Sequence, residues 1–279
     1  MSALRSILLH VDPSPRSARR LLVASELAEQ FGARVTALYA STPSTLSLPL
    51  VMAAGAGEML AMLQQLDIDH RDQARALFDR TAARLPQPVA WQDSGDGLVI
   101  SGVAQRALYA DLLVLGQHDP TDPMMVGVPA DFVASVLLAS GRPALVLPCV
   151  DTPTTVGEQV LVAWKPTRES AHALSAALPF LQRAKCIHLT IADDSDPVPD
   201  PAKALESYLR SHDVQAPIER HSAPPADGAG DGLLSLAADA GADLLVMGCY
   251  GHSRARELML GGASRTVLRS MTLPVVMAH

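Results

Sequence analysis

The hydrophobic pattern of this chain repeats one order of elements twice. Short apolar runs, typical of strands buried in a parallel sheet, alternate with longer stretches whose apolar positions recur every three or four residues, typical of helices. A strand–helix–strand unit opens each copy, at 5–14, 17–33 and 34–40 in the first and at 159–167, 168–184 and 185–192 in the second. Gly32 is predicted to end the first helix.

The remainder of each copy continues the same order. A helix, a short strand and a second helix follow, at 67–85, 88–93 and 97–110 in the first copy and at 201–213, 216–222 and 232–241 in the second. They lead into the nearly identical strands ADLLVLG (110–116) and ADLLVMG (242–248), and each copy finishes with a helix and a strand at 141–148 or 272–279. We therefore predict an α/β fold of two tandem doubly wound domains, each a mostly parallel five-stranded sheet flanked by helices.

The predicted domains are residues 1–150 and 156–279, joined by the polar segment 151–158. Residues 41–66 are an apolar insertion present only in the first copy, and they fit either a short helix covering the sheet or a surface for a partner.

Composition and charge narrow the class of protein. Of the 279 residues 48% are hydrophobic and 18% charged, with four Phe, four Tyr and two Trp, which indicates a globular protein with an aliphatic core. The net charge of −7 argues against nucleic acid as a partner. Because no secretory leader and no apolar run of about 18 residues is present, we expect a soluble, cytoplasmic protein without a membrane partner.

Cysteine, histidine and serine positions predict neither a metal site nor a catalytic residue. Cys149, Cys186 and Cys249 are widely spaced, and the first two are expected to be buried thiols. The nine histidines lack metal-ligand spacing, and His10 and His188 are expected in the core or lining a crevice. No serine has a neighbouring His–acid pair that would activate it as a nucleophile. The glycine-rich residues 228–232 lack the lysine of a phosphate loop and predict a flexible connection.

The segment at 248–264, GCYGHSRARELMLGGAS, carries the strongest functional signal. It follows an apolar strand and ends where the last helix begins, so its glycines allow close approach of the backbone to an anion and the helix N–H groups point towards that anion. The alternative is a tight turn without a ligand. Four glycines together with Arg254, Arg256 and Arg265 exceed what a turn requires and favour a nucleotide.

These features together resemble the universal stress protein family in its tandem, two-domain form. The resemblance rests on the repeated plan, the strand ends ILLHVDPS and VLVAWKPT, and the motif Gly-x2-Gly-x9-Gly at Gly248, Gly251 and Gly261. It implies an adenine nucleotide alpha hydrolase-like fold and binding of ATP or a related adenine nucleotide, with or without Mg²⁺. The implied binding residues are Ala163, Trp164, Lys165, Ile191, Ala192, Met247, Gly248, Tyr250, Gly251, His252, Gly261, Gly262, Ala263 and Ser264.

The chain departs from the family pattern in both copies. In the second copy Gly262 stands where the family has Ser or Thr, and Lys165 replaces the acidic residue that contacts the adenine side, an exchange that removes a hydrogen-bond acceptor. The first copy keeps that acid as Asp12 but retains only Gly116 of the motif glycines, and over 116–135 it carries the carboxylates of Asp119, Asp122 and Asp131. We therefore predict one nucleotide site, in the second domain only.

The resulting hypothesis is a stress-associated nucleotide-binding protein that acts as a ligand-dependent regulator, and a binding protein is favoured over an enzyme. The alternative is an interaction or scaffold protein that does not need nucleotide, and slow ATP hydrolysis ranks last. Because family members pair domains through the last strand, the resemblance also implies an intramolecular pseudo-dimer of the two domains, and it leaves a homodimer open.

Overall fold

The computed structural model describes residues 4–46, 56–95, 97–125, 127–150, 155–192, 200–249 and 262–279. These residues form ten strands and eight α-helices in the predicted order. The first sequence copy contains β1 (Ser6–Val11), α1 (Arg16–Phe31), β2 (Arg34–Tyr39), α2 (Ala56–Ala82), β3 (Ala90–Asp93), α3 (Val99–Ala107), β4 (Leu112–Gly116), α4 (Phe132–Ser140) and β5 (Ala144–Leu147). The second copy contains β6 (Gln159–Trp164), α5 (Arg168–Leu181), β7 (Cys186–Ile191), α6 (Pro201–Ser211), β8 (Ile218–His221), α7 (Ala229–Asp239), β9 (Leu244–Gly248), α8 (Ala263–Ser270) and β10 (Val275–Ala278). The predicted α/β class is confirmed.

The chain divides into two compact units, the first unit being Leu4–Ser140 and the second unit Gly141–His279. In the first unit the strands lie in the order β3-β2-β1-β4 and are all parallel. In the second unit the order is β5-β10-β9-β6-β7-β8, and only the β5–β10 pair is antiparallel.

Strand β5 comes from the first sequence copy but pairs with β10, the last strand of the second, with Val146 opposite Val275. This is the pairing of last strands that the family resemblance implies. It also explains why the boundary between the two compact units falls in the sequence between Ser140 and Gly141. The division into domains 1–150 and 156–279 follows the sequence copies instead and stays a prediction.

The aspartate of the repeated ADLLV sequence has the same structural role in both units. Asp111 Oδ2 accepts hydrogen bonds from the backbone N–H groups of Arg5 and Ser6, each at 2.9 Å. Asp243 does the same for the N–H groups of 157–159, at 3.0 to 3.1 Å. In each unit one carboxylate therefore satisfies the backbone where the first strand of the copy begins, next to the buried Leu-Leu-Val strand that follows the aspartate.

Helix α1 ends as the sequence predicts. Gly32 has φ of +66° and its N–H donates to the carbonyl of Ala28, the left-handed cap that glycine adopts without steric cost. The helix packs against β1, β2 and β4, and α2 packs against α1.

Two expectations about the loops require correction. Helix α2 begins at Ala56 rather than at 67, so residues 56–66 of the apolar insertion extend this helix, while Ser44–Leu46 at the start of the insertion form a short 3-10 helix without buried residues. The apolar side chains in the first part of α2 do not cover the sheet, because they are exposed: Met59, Leu60, Met62, Leu66 and Ile68. Residues 47–55 lie outside the described residues.

The glycine-rich residues 228–232 are not a flexible connection. Gly228 is the N-cap of α7 and the residues after it form the first turn of that helix. A Cβ atom at Gly230 would lie 2.5 Å from Cβ of Thr266 in α8, so glycine at this position permits close contact between the two helices.

Candidate functional site

The strand order places one switch point in each unit. In the first unit the chain moves from β1 outward to β2 and β3 and then returns to the other side of β1 with β4, so the crevice lies at the carboxyl ends of β1 and β4. In the second unit the same reversal occurs at β6 and β9. Asp12 directly follows β1 and Gly116 is the last residue of β4. In the second unit, Lys165 directly follows β6 and Gly248 is the last residue of β9.

In the first unit the switch point is closed by an internal ion pair. Asp12 is fully buried, and its Oδ2 accepts a hydrogen bond of 2.6 Å from the guanidinium of Arg20, which is itself 3% exposed. The other carboxylate oxygen accepts hydrogen bonds from the N–H of Ser14 and the hydroxyl of Ser17, both at 2.9 Å. A Cβ atom at Gly116 would collide with the Arg20 guanidinium, which therefore lies directly against the end of β4.

Burial alone would raise the pKa of Asp12, but Arg20, His10 and the hydrogen bonds from Ser14 and Ser17 outweigh it and hold that pKa below its usual value. The carboxylate that could have contacted adenine is thus ionised and fully engaged within the protein.

The three aspartates of residues 116–135 also have partners within the protein. Arg16 forms ion pairs with Asp119 and, at 2.6 Å, with Asp122, and Asp131 accepts a hydrogen bond of 2.8 Å from Ser135. Hydrogen bonds from Thr121, and the charge of Arg16, lower the pKa of Asp119. Two arginines of α1 therefore occupy the region where phosphate would bind. The sequence reasoning missed both, since nothing in the order of residues shows that one helix reaches the ends of two distant strands.

In the second unit the structure brings together the predicted residues that end β6, β7 and β9. Trp164 pairs with Ile191 across β6 and β7, Ala163 pairs with Met247 across β6 and β9, and the N–H of Ala192 donates to the carbonyl of Trp164 at 2.9 Å. Five of the residues at this edge are partly exposed: Ala163, Trp164, Lys165, Ile191 and Ala192. Their counterparts in the first unit are all buried: His10, Val11, Asp12, Tyr39 and Ala40. The second switch point is therefore open where the first is closed.

The helix after β6 has no counterpart to Arg20. Aligning Asp12 on Lys165 without gaps places Ala173 of α5 opposite Arg20, and Ala173 is fully buried. In place of a guanidinium, the start of α5 approaches the end of β9, and a Cβ atom at Gly248 would lie 2.5 Å from the backbone N of Ser170. The N-cap of α5 is Thr167, whose hydroxyl accepts a hydrogen bond from the N–H of Ser170.

The start of α8 is partly described. Gly262 is its N-cap and offers no side-chain cap to the first N–H groups of the helix, Ala263 is partly exposed, and Ser264 is buried. In a right-handed crossover a helix that follows a parallel strand begins at the carboxyl edge of the sheet, which is the edge where β9 ends. Tyr250, Gly251, His252 and Gly261 lie outside the described residues, so their part in the site stays a prediction.

Comparison with known proteins identifies the family. The model of the universal stress protein family matches residues 3–136 and again residues 158–279. The chain belongs to the universal stress protein family. Two matches in one chain also establish the tandem arrangement.

Relatives of the same length support this assignment. Universal stress protein Slr1230 of Synechocystis is 23% identical over 298 aligned positions, covering 98% of this chain and 99% of that protein. A universal stress protein from Archaeoglobus fulgidus has a similar structure, with a TM-score of 0.66, 15% identity and coverage of 98% of this chain and 95% of the other. Protein PA1789 of Pseudomonas aeruginosa, of unknown function, has a TM-score of 0.55 at 17% identity, with coverage of 99% and 92%. Proteins of other organisms thus share the fold of this universal stress protein over nearly their whole length.

Among the described residues, no helix has both the length and the apolar character needed to span a membrane.

Gly248 has a packing role in this universal stress protein whether or not a ligand binds. We expect Gly248→Ala to lower the free energy of unfolding by about 2–3 kcal/mol, because the new Cβ would meet backbone atoms of Glu169 and Ser170 that no side-chain rotation can move. Gly57→Ala is the control, since a Cβ at this helical position meets no atom within 4 Å, and it should be neutral or stabilise by up to about 1 kcal/mol. Urea unfolding followed by circular dichroism measures both variants, and equal midpoints would contradict the packing role.

Proposed function

We propose that this universal stress protein binds one adenine nucleotide of the ATP type, at the switch point of the second unit, and that the bound nucleotide regulates its stress-associated function. The observation that carries the proposal is the contrast in exposure between the two units. The residues at the carboxyl ends of β6 and β7 are partly exposed, whereas the equivalent residues of β1 and β2 are buried, and Arg20 bonds Asp12 there. Only the open edge is followed by the glycine motif of residues 248–264.

The chemistry of the open edge suits phosphate more than it suits adenine. The N-terminus of α8 carries the positive end of the helix dipole, and Lys165 adds a positive charge at the end of β6. The ammonium group of Lys165 has no acceptor for the adenine amino group. We therefore expect phosphate to supply most of the affinity, and discrimination between ATP and GTP to be weak.

Calorimetric titration of the tag-free protein with ATP, GTP, tripolyphosphate and adenosine, with and without Mg²⁺, tests the proposal. ATP and tripolyphosphate should bind and adenosine should not, and ATP at about 100 times its dissociation constant should stabilise the protein by about 2.7 kcal/mol. Mass spectrometry of the protein as purified would identify any nucleotide that it carries. If neither ATP nor tripolyphosphate binds at millimolar concentration, the proposal fails.

A pair of lysine variants tests the position of the site. Lys165→Ala should weaken ATP and tripolyphosphate binding alike, whereas Lys203→Ala, which removes the same charge from the exposed face of α6, should leave both unchanged. Lys165→Asp should restore an acceptor on the adenine side and increase the preference for ATP over GTP. Equal affinities in the Lys165 and Lys203 variants would contradict a site at the end of β6.

A second candidate function, interaction with a partner protein without nucleotide, is favoured by the exposed apolar side chains of α2. Met62 is 72% exposed and Met59 50% exposed, and such side chains are enriched in surfaces that bind other proteins. Purified protein that carries no nucleotide and self-associates, but becomes monomeric on Met62→Glu, would support this candidate.

A further inference from the structure

A second group of chemically active side chains lies in the second unit, on the strands β7 and β8. Cys186 and His188 are two residues apart on β7, and Glu219 and His221 are two residues apart on β8. Residues at this spacing share one face of a strand, and the parallel register sets His188 beside Glu219. The four side chains therefore project from the same face of the sheet.

The opposite face of β8 is covered by a helix. Arg220, which alternates with Glu219 and His221, donates a hydrogen bond of 2.8 Å from Nε to Glu206 of α6. The group of four thus faces away from α6. Glu219 is exposed and His188 is buried, so the group extends from the interior to solvent and an ion could reach it.

The distances match the ligand spacing of a small metal ion. Nδ1 of His188 lies 3.0 Å from Nε2 of His221 and 3.5 Å from a carboxylate oxygen of Glu219. One ligand atom from each of Cys186, His188 and Glu219 lies within 4.8 Å of the other two. With zinc–nitrogen and zinc–oxygen distances of about 2.0–2.1 Å, a tetrahedral site separates two ligand atoms by about 3.3 Å, between the two observed values.

The ring of His188 lies against the other members of this group through Nδ1, which is near both His221 and Glu219. Its second ring nitrogen, Nε2, is buried and has no hydrogen-bond partner among the described residues, although a buried ring nitrogen ordinarily has one. Protein groups therefore leave the hydrogen bonding of this buried histidine incomplete.

We propose that Cys186, His188, Glu219 and His221 bind one Zn²⁺ ion that ties β8 to β7. Thiolate, imidazole and carboxylate are the ligands of tetrahedral zinc, whereas Mg²⁺ and Ca²⁺ prefer sites made only of oxygen. Strand β8 has four residues and pairs only with β7 among the described strands, so a metal link would stabilise an edge strand. The sequence argued against a metal because the ligands form two short motifs, Cys-x-His and Glu-x-His, which only the sheet brings together.

Zinc titration of tag-free, chelator-stripped protein against a chromophoric competitor, with metal content measured by mass spectrometry, tests the site. We expect one Zn²⁺ per chain. Cys186→Ser and His221→Gln should each weaken binding by more than about 100-fold, the upper limit for losing an outer-sphere partner alone. The matched controls Cys149→Ser and His212→Gln should bind like the wild type, because neither residue belongs to the cluster.

Cobalt substitution supplies a measurement that does not depend on the folding of variants. The wild-type protein with Co²⁺ should show a thiolate-to-cobalt charge-transfer band and the intense visible bands of tetrahedral cobalt. Zinc should also raise the melting temperature of the wild type and not that of Cys186→Ser. The proposal is overturned by wild-type protein that retains no zinc, by unchanged affinity in both ligand variants, or by an octahedral cobalt spectrum without the charge-transfer band.

Discussion

Arg20→Met is expected to lower the free energy of unfolding of the first unit by about 3–5 kcal/mol. The substitution keeps most of the buried stem of Arg20 but removes the guanidinium that bonds Asp12 at 2.6 Å. Asp12 is fully buried, so its carboxylate would keep only the hydrogen bonds from Ser14 and Ser17 and would lose its countercharge. An uncompensated buried charge is among the most destabilising changes that a single substitution makes.

The two tryptophans of the chain allow the units to be followed separately. Trp91 lies in β3, with its ring centroid 5.0 Å from that of Phe78, and Trp164 ends β6. Urea unfolding followed by Trp91 fluorescence in a Trp164→Phe background therefore reports on the first unit. Arg19→Met is the matched control, because Arg19 is exposed on the same helix, and its effect should be within about 0.5 kcal/mol.

The double variant Asp12→Asn/Arg20→Met separates an ion pair from simple packing. Because the amide carries no charge, the double variant should be more stable than Arg20→Met alone, which is the signature of coupling in a double-mutant cycle. If Arg20→Met costs no more than Arg19→Met, or if the two substitutions at positions 12 and 20 are additive, the ion pair does not close the first switch point.

Acidification should destabilise the first unit over the pH range between the pKa values of His10 in the folded and unfolded protein. Burial lowers the pKa of His10 from 6.5 to about 4, with Asp12 acting in the opposite direction and Arg20 in the same direction. Its Nε2–H donates to the carbonyl of Ala40 at 2.8 Å, and its ring contacts Phe132. The folded protein therefore holds His10 as the neutral ring.

The sign follows from proton binding in the two states. Between pH 4 and 6.5 the unfolded chain binds a proton at His10 that the folded chain does not, so the free energy of unfolding falls as the pH falls. The total loss across this window is about 3 kcal/mol, and it levels off below pH 4. Asp12 contributes only below its ordinary pKa of 3.8, outside the window.

The pH dependence is measured by urea unfolding at a series of pH values, with Trp91 fluorescence as the signal. His10→Gln is the matched variant, because its amide can still donate to Ala40 but does not titrate. It should be less stable than the wild type at pH 7 and show a flatter profile between pH 4 and 6.5. Parallel profiles for the two proteins would show that His10 is not the group responsible.

Much of the fold could be predicted because its signals are local. Every predicted strand is present within a few residues of its expected bounds, since buried parallel strands are continuous apolar runs and the turns between them carry Gly, Pro and Asp. The expectation of buried histidines at 10 and 188 is confirmed. The expectation of buried thiols is not, because Cys149 and Cys186 are only partly buried, whereas Cys249 is fully buried and donates to the carbonyl of Ala278.

Some features of the candidate site could be read from the sequence, and others only from the tertiary structure. Sequence comparison of the copies separated the carboxylate-rich segment at 116–135 from the glycine motif at 248–264, and the nucleotide site inferred from that difference stays a prediction. It could not show that Arg16 pairs with Asp119 and Asp122, because these partners are distant in the chain, nor that the guanidinium of Arg20, paired with Asp12, lies against the end of β4. It likewise missed the group formed by Cys186, His188, Glu219 and His221, since a strand pair brings together residues that no single motif contains.

The sequence by itself determined the repeated α/β plan, the family and the difference between the copies, because these depend on periodicity and on residues that are neighbours in the chain. The tertiary structure decided that β5 pairs with β10, that Arg20 closes the first switch point, and that Cys186, His188, Glu219 and His221 share one face of β7 and β8. Each of these depends on contacts between residues far apart in sequence, and burial then determines which charge is paired and which edge stays open.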